Sequence, residues 1–408
     1  MKKTQTKLRV PTALAVFGKP EIRAVNEVLS NPTRIAPGNA VKEFERRIAR
    51  LFSKKYGVMV NSGSSANLLA LSVLDLPRGS EVITPILTFA TTVAPIVQKG
   101  LIPVFVDVKE GTYLANIDQI ESLITKKTKA LMIPSLIGNI PDLSRLQEIA
   151  RKHKLYLIED SCDTIGATFK GKPTGYYTDI SVTSFYASHI ITTAGAGGMV
   201  CFNDPQLARR ALVMSSWGRE STLFGTYEKS EDIKKRFSGM LGGGRYDAKF
   251  IFSEIGYNFQ SAELNGAFGL QQLNRLKGFI KRRQSNFSEL INFFKPYQRF
   301  FMLPKQDTRV KTNWLIFPLL IREGAPFSRY ELTKYLEENN IQTRPVFTGD
   351  ILKQPAFQKI EHGGLENGYP VANQVMKNAF LIGCHQGLEK KHLRYLKKTF
   401  VDFLENYR

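Results

Sequence analysis

Only three cysteines occur in 408 residues, and they stand far apart at Cys162, Cys201 and Cys384. So few and so scattered, they argue against a disulfide framework and for a reducing, cytoplasmic setting. No CxxC and no His/Cys cluster has metal-ligand spacing, so a zinc or iron–sulfur site has no obvious ligands. No run approaches 18 consecutive apolar residues, so no membrane-spanning helix is expected. The basic start, Met1-Lys2-Lys3-Thr4-Gln5-Thr6-Lys7, is followed by no apolar core, so no secretory signal is expected. Acid is scarce as well: 36 Asp and Glu against 57 Lys and Arg leave a formal charge of +21. Nucleic-acid binding would concentrate that charge in a stripe interleaved with aromatics. Here it is spread along the chain with a local excess in 229–249. A generally basic proteome explains the spread most simply, attraction of a polyanionic small substrate comes next, and no nucleic-acid partner is expected. One further absence is local: no lysine lies between Lys172 and Lys229.

Hydrophobic residues make up 43% of the chain, enough for one large domain and a smaller one. Apolar runs at 56–60, 81–84, 102–106, 129–134, 155–159, 180–184 and 198–202 predict strands. Helical patterns at 20–30, 40–52, 66–73, 143–153 and 205–215 lie before or between them. Buried runs separated by helices predict an α/β fold: a mostly parallel sheet with helices on both faces. The polar, basic, Gly-rich stretch 219–252 reads as a long functional loop or lid. A helix is predicted over 258–276 and on through 280–294. Beyond residue 298 a strand at 313–321, a helix at 329–339, a short strand at 341–344 and a terminal helix at 392–404 predict a small α+β domain. The expected division is therefore 1–298 and 299–408.

Five motifs carry chemistry. Asn61-Ser62-Gly63-Ser64-Ser65-Ala66-Asn67 follows a strand and opens a helix, a place where backbone N–H groups bind phosphate; read alone, it is a serine-capped helix start. Thr88-Phe89-Ala90-Thr91-Thr92 offers an aromatic ring that could stack on a flat ligand or join the core. Leu157-Ile158-Glu159-Asp160-Ser161-Cys162-Asp163 places carboxylates at the end of a buried strand, where open α/β sheets bind ligands; a helix cap or turn is the plain alternative. Ser184-Phe185-Tyr186-Ala187-Ser188-His189 precedes Thr193-Ala194-Gly195-Ala196-Gly197-Gly198. A vitamin B6 enzyme presents its anchoring lysine on such a strand and small-residue turn, but here the basic residue is His189. An imidazole moves protons and forms no stable imine with pyridoxal phosphate (PLP). The fifth motif, Gly256-Tyr257-Asn258-Phe259-Gln260, is by itself an ordinary turn before a helix.

In that order, the set resembles the DegT/DnrJ/StrS family of sugar aminotransferases, a branch of the fold-type I PLP enzymes, from about Arg34 to the terminal helix. Within it the chain is similar to the branch of 3-dehydrases that act on nucleotide-linked 4-keto-6-deoxyhexoses. The similarity rests on the Asn61–Asn67 motif, on Gly100-Leu101-Ile102-Pro103-Val104-Phe105-Val106-Asp107-Val108, and on His189 in the lysine's place. Thr348-Gly349-Asp350 with Gln354-Pro355-Ala356-Phe357 adds to it.

The resemblance implies PLP or pyridoxamine phosphate (PMP) as cofactor. Asp160 would pair the pyridine nitrogen, with Asp163 beside the ring and Phe89 stacked on it. Gly63, Ser64 and Ser184 would hold the phosphate. Asn258 would reach the phosphate site of a second subunit, implying a homodimer with shared sites. His189 would be the base for loss of the C3 hydroxyl, and glutamate the amino donor that regenerates PMP. Arg219, Arg344 and His385 are substrate-side candidates, with surface or packing roles as alternatives.

The chain also departs from the branch. Ile190 stands where a second histidine is usual, and Gly195-Ala196-Gly197-Gly198 replaces Gly-Glu-Gly-Gly with one extra residue before it. The loop after Trp217-Gly218-Arg219, where some members hold a [2Fe–2S] cluster, has no cysteine, so no cluster is expected there. An ordinary sugar aminotransferase and a non-catalytic B6-fold sensor are the alternatives. Retention of Asp160, Ser184 and the Gly63 turn argues against the sensor.

Overall fold

A computed structural model describes residues 8–407; the basic run at 1–7 lies outside them. The predicted apolar runs form seven strands: β1 (Tyr56–Val60), β2 (Glu81–Pro85), β3 (Ile102–Val106), β4 (Thr128–Pro134), β5 (Tyr156–Asp160), β6 (Ile180–Ser184) and β7 (Gly198–Phe202). Their order across one sheet is β1-β7-β6-β5-β4-β2-β3, and Gly363–Gly364 extends it beyond β3. β7 runs antiparallel to β1 and β6. The other pairings are parallel.

The helices of this part are α1 (Lys19–Leu29), α2 (Asn39–Leu51), α3 (Gly63–Ser72), α4 (Ala90–Gln98), α5 (Leu143–His153) and α6 (Pro205–Met214). The two-residue period of each strand feeds both faces of the sheet. Val200 and Phe202 of β7 join the core made with α3 and α6. Met199 and Cys201 join that of α2, whose Val41, Phe44 and Ile48 are buried at helical spacing. α4 was not predicted: its Pro95 lies inside the helix and hides the pattern.

The helix expected from 258 begins later and is unbroken: α7 spans Glu263–Phe294, 32 residues. Residues 257–259 are extended instead. Phe259 donates to Ser215 O (2.9 Å) and accepts from Asn61 N (2.8 Å), and Asn258 bridges Ser216. Glu263, at the start of α7, accepts from Gly38 N (2.7 Å) and Ala40 N (2.7 Å), so one buried carboxylate caps α2. At about 48 Å, α7 reaches a second sheet made of β8 (Phe301–Met302), β9 (Phe317–Ile321), β10 (Thr343–Pro345) and β11 (Ala379–Ile382), in the order β8-β9-β11-β10, all antiparallel. Around it pack α8 (Arg329–Glu338), α9 (Pro370–Asn378) and α10 (Lys390–Leu404).

One apolar cluster takes Leu87 and Phe105 from the first sheet's side together with Phe294, Phe317 and Phe380. β9 starts at Phe317 rather than 313, because Asn313 is held in a loop by Ile165 O (2.8 Å) and Trp314 has a left-handed φ of 38°. The expected strand at 341–344 begins at Thr343, with Ile341 bridging Val10. Segment 219–252 is a chain of short helical turns and one hairpin, Gly239–Leu241 with Gly244–Tyr246. Gly242 and Gly243, at φ 59° and 83°, supply its turn. Among the described residues no helix is long and apolar enough to cross a membrane.

Candidate active site

The parallel strands β1, β2, β4, β5 and β6 end at one edge of the sheet, and a cavity of about 350 Å³ opens there. Each wall follows from a strand end. β1 runs into α3, whose first turn supplies Ser62, Gly63 and Ser64. First-turn amides have no intrahelical acceptor. Ser62 Oγ takes that of Ser65 (3.0 Å), and the turn faces the cavity. A Cβ on Gly63 would lie 2.6 Å from Ser184 Cβ and 3.0 Å from Cys162 Sγ, so only glycine lets this turn approach the end of β6. β2 leads to Phe89, which is 53% exposed and meets Phe347 edge-on at 5.9 Å. β4 leads into Ser135, whose buried Oγ has no partner among the described residues although it lines the cavity.

At the end of β5, Asp160 is held by three donors. Asn67 Nδ2 (2.8 Å) and Thr92 Oγ1 (2.9 Å) reach Oδ2, and Cys162 N (3.2 Å) reaches Oδ1. Asp163 accepts from Ile137 N at 2.8 Å. Ile137 has φ 54°, an uncommon conformation for a β-branched residue that aims its N–H at this carboxylate. Burial, then the charge of Asp160, pushes Asp163 up to about 7, against the Ile137 N–H and the Arg283 cation.

His189 closes the cavity with a side chain 16% exposed. Its Nδ1 lies 2.7 Å from Cys162 O and 3.9 Å from Asp163 Oδ1. A carbonyl only accepts, so Nδ1 carries the proton and Nε2 holds the lone pair. Burial lowers the pKa of the ring below its ordinary value, opposed by the bond to Cys162 and by Asp160. The neutral imidazole is therefore a free base near neutral pH. Among the described residues no lysine lines the cavity. The walls fit a flat, anionic, aromatic group: a helix start and serine hydroxyls at one end, a phenyl face, and a fixed carboxylate opposite.

The structure thus brings together Gly63, Ser64, Phe89, Asp160, Asp163, Ser184 and His189. Three other candidates lie elsewhere. Asn258 is exposed and outside the cavity, although its strand passes beside Asn61. Arg219 packs its guanidinium over Trp217 at 4.3 Å. His385 is moved from the substrate side to the core. It is fully buried, with Nε2 3.0 Å from Pro11 O and Nδ1 accepting from Gly387 N (3.2 Å); burial and the Arg283 charge push its pKa down to about 3.

Arg344 lines a second cavity with Thr12 and Gln342, which shares Tyr186, Ser188 and Phe347 with the first. Thr348, in the segment expected on the substrate side, donates to Thr88 O (2.7 Å) beside Phe89. Asn67 and Thr92 stand within sequence motifs, but nothing there marks them as the donors that hold Asp160, and Ser135 and Phe347 carry no sequence signal. Asn67 lies one helical turn beyond Gly63, which was the available signal.

A sequence-family model described as the DegT/DnrJ/EryC1/StrS aminotransferase family matches residues 16–400. The chain belongs to that family. Two family relatives are 36% identical to it. One is the lipopolysaccharide biosynthesis protein RfbH of Salmonella typhimurium, aligned over 97% of this chain and 91% of its own. The other is the dTDP-4-dehydro-2,6-dideoxy-D-glucose 3-dehydratase of Saccharopolyspora spinosa, over 91% and 81%. GDP-perosamine synthase of Escherichia coli O157:H7 is 32% identical over 79% and 80%. Among solved structures, E. coli GDP-4-keto-6-deoxy-D-mannose-3-dehydratase with bound hydrated PLP superposes with a TM-score of 0.86 at 28% identity, covering 96% of this chain and 99% of that one. The fold is that of the fold-type I PLP enzymes.

Proposed function

We propose that this protein uses PMP, interconverted with PLP, to remove the C3 hydroxyl from a nucleotide-linked 4-keto-6-deoxyhexose, as in deoxysugar or lipopolysaccharide biosynthesis. The observation that carries the reading is His189, with its Nε2 free of the Cys162 bond, closing a cavity that among the described residues no lysine lines. In this reading the first turn of α3 with Ser184 holds the cofactor's phosphate, Phe89 covers its ring, and Asp160 meets the ring nitrogen, with Asp163 as neighbour. When bound, the cofactor supplies an amine for the sugar ketone and an electron sink for the bond that breaks.

The protein's own residues do the rest. Asn67, Thr92 and the Cys162 amide fix Asp160 as a carboxylate acceptor. His189 takes a proton at Nε2 while Nδ1 stays bonded to Cys162 O. The same Nε2–H can then be returned to the departing C3 oxygen, so the C–O bond breaks with water as leaving group. Arg344, in the adjoining cavity, is the substrate-side cation, suited to a nucleotide diphosphate. Glutamate is the amino donor.

A homodimer completes the reading. Ile233 (71% exposed), Met240, Phe250, Phe252 and Ile255 (95% exposed) leave large apolar side chains in solvent along the segment that leads to Asn258. A second copy laid there would cover them and bring Asn258 to the neighbouring phosphate site. The second reading, amino transfer, is favoured by the GDP-perosamine synthase relative. One experiment tests both: mass spectrometry after incubation with PMP, glutamate and a panel of nucleotide 4-keto-6-deoxysugars. Loss of one water supports dehydration; exchange of the keto oxygen for an amine overturns it in favour of transfer.

A further inference from the structure

Arg283 is a fully buried arginine on α7. It forms no salt bridge among the described residues, and its Nη2 is buried without a hydrogen-bond partner there. A guanidinium in such a place costs several kcal/mol of desolvation, and a methionine or leucine would fill the volume more cheaply. Its remaining donors define two arms. Nε donates to Gln386 Oε1 (2.6 Å), and Gln386 Nε2 donates to Ile190 O (3.1 Å), the residue after His189. Nη1 donates to Leu315 O (2.7 Å) and Trp314 O (3.1 Å). Leu315 N donates to Ile137 O (3.0 Å), and Ile137 N donates to Asp163. One arm ends on the backbone next to His189 and the other on the donor to Asp163, the two side chains that stand 3.9 Å apart in the cavity.

We infer that Arg283 is a positioning residue for the His189–Asp163 pair, holding the His189 loop through Gln386 and the Asp163 donor loop through Leu315. The inference rests on His189 acting as the base. The cation also acts at a distance: it favours an ionised Asp163 and an uncharged His189. The other groups facing these three are Asp160 and Cys162 on the cavity side, and Cys384 and His385 behind Arg283. Burial lowers Arg283 itself only to about 10, so it remains cationic at neutral pH.

The test uses cofactor-free protein, with the imidazoles of its five histidines followed by nitrogen-15 NMR and His189 assigned by its loss in His189→Asn. Arg283→Met is expected to raise the His189 titration midpoint, and Arg283→Lys to return it toward wild type. Gln386→Leu keeps the cation and removes one arm, at a half-buried site that tolerates the change. It is expected to speed amide exchange at Ile190–Ile191 and to mix the His189 tautomers. In the loaded enzyme it should lower kcat by about tenfold or more while leaving cofactor Kd within about twofold. A His189 spectrum and midpoint unchanged in both Arg283→Met and Gln386→Leu would overturn the inference; should Arg283→Met not fold, the Gln386→Leu spectrum alone decides. These NMR readouts are blind to the reaction catalysed, so failure of the dehydration reading and failure of the Arg283 network are separately visible.

Discussion

Replacing His189 by Asn takes away the imidazole and leaves an amide that can still donate to Cys162 O, the 2.7 Å bond that orients the ring. The fold should therefore lose little, about 1 kcal/mol for the smaller buried side chain. The groups proposed to hold the cofactor, the α3 turn, Ser184 and Asp160, do not depend on the imidazole. PMP affinity should accordingly change by less than about threefold, roughly 0.7 kcal/mol. The chemical step should fall much further. A positioned general base contributes about 10²- to 10⁴-fold, which adds about 2.7–5.5 kcal/mol to the barrier when it is lost. The assay is single-turnover water loss from the nucleotide sugar on PMP-loaded enzyme, read by mass spectrometry, beside an absorbance titration of PMP. A variant that dehydrates within threefold of wild type at unchanged Kd would remove His189 from the chemistry. His189→Lys extends the test: an amine there should let borohydride fix PLP to residue 189 and abolish dehydration.

Gly63→Ala drives a Cβ to 2.6 Å from Ser184 Cβ; overpacking should cost about 1–3 kcal/mol of stability and weaken PMP binding by about tenfold, and unaltered affinity would place the phosphate elsewhere. His385, pushed down to about 3 in the fold, titrates at its ordinary value of about 6.5 once unfolded. Its contribution is present above pH 6.5 and is lost as pH falls toward 3, by at most about 5 kcal/mol. His385→Gln, which can keep both hydrogen bonds, should flatten the decline of the urea midpoint across that window while leaving PMP affinity unchanged. Asn258→Asp should weaken PMP binding by about tenfold in a protein that light scattering finds dimeric; a monomer with full affinity would refute the shared site.

Strands β1–β7 of the large sheet were legible because strands buried on both faces read as plain apolar runs, antiparallel β7 included. The cavity residues that end those strands were legible for the same reason: once β1, β2, β5 and β6 are found, Gly63, Phe89, Asp160 and Ser184 fall at one edge of the sheet. What stayed hidden depends on contacts distant in sequence. The late start of α7 is set by Ser215 and Asn61 pairing with Phe259, not by anything in 258–262. His385 looked functional because a lone histidine carries no mark of its partners, here Pro11 and Gly387. Arg283 lies in the middle of a 32-residue helix among other basic residues, and only burial distinguishes it from its exposed neighbours.

In the proposed reading no lysine anchors the cofactor, so it must be kept by non-covalent contacts alone. Asp160 receives three donors where one would orient it, so its carboxylate is fixed in the cavity wall. Gly63 draws the first turn of α3 against Ser184, which sets a helix start beside a hydroxyl, a pair suited to one anion. His189 is held by one hydrogen bond at Nδ1 and leaves its other nitrogen free, and that is the division a base requires. In this reading the rigid Asp160 side retains the ring, and the His189 side, tied to Arg283 through Gln386, moves the proton. Loosening the first should therefore raise cofactor Kd, and loosening the second should lower kcat. A variant of Asn67 or Thr92 that slowed turnover at unchanged Kd would show that this division is false.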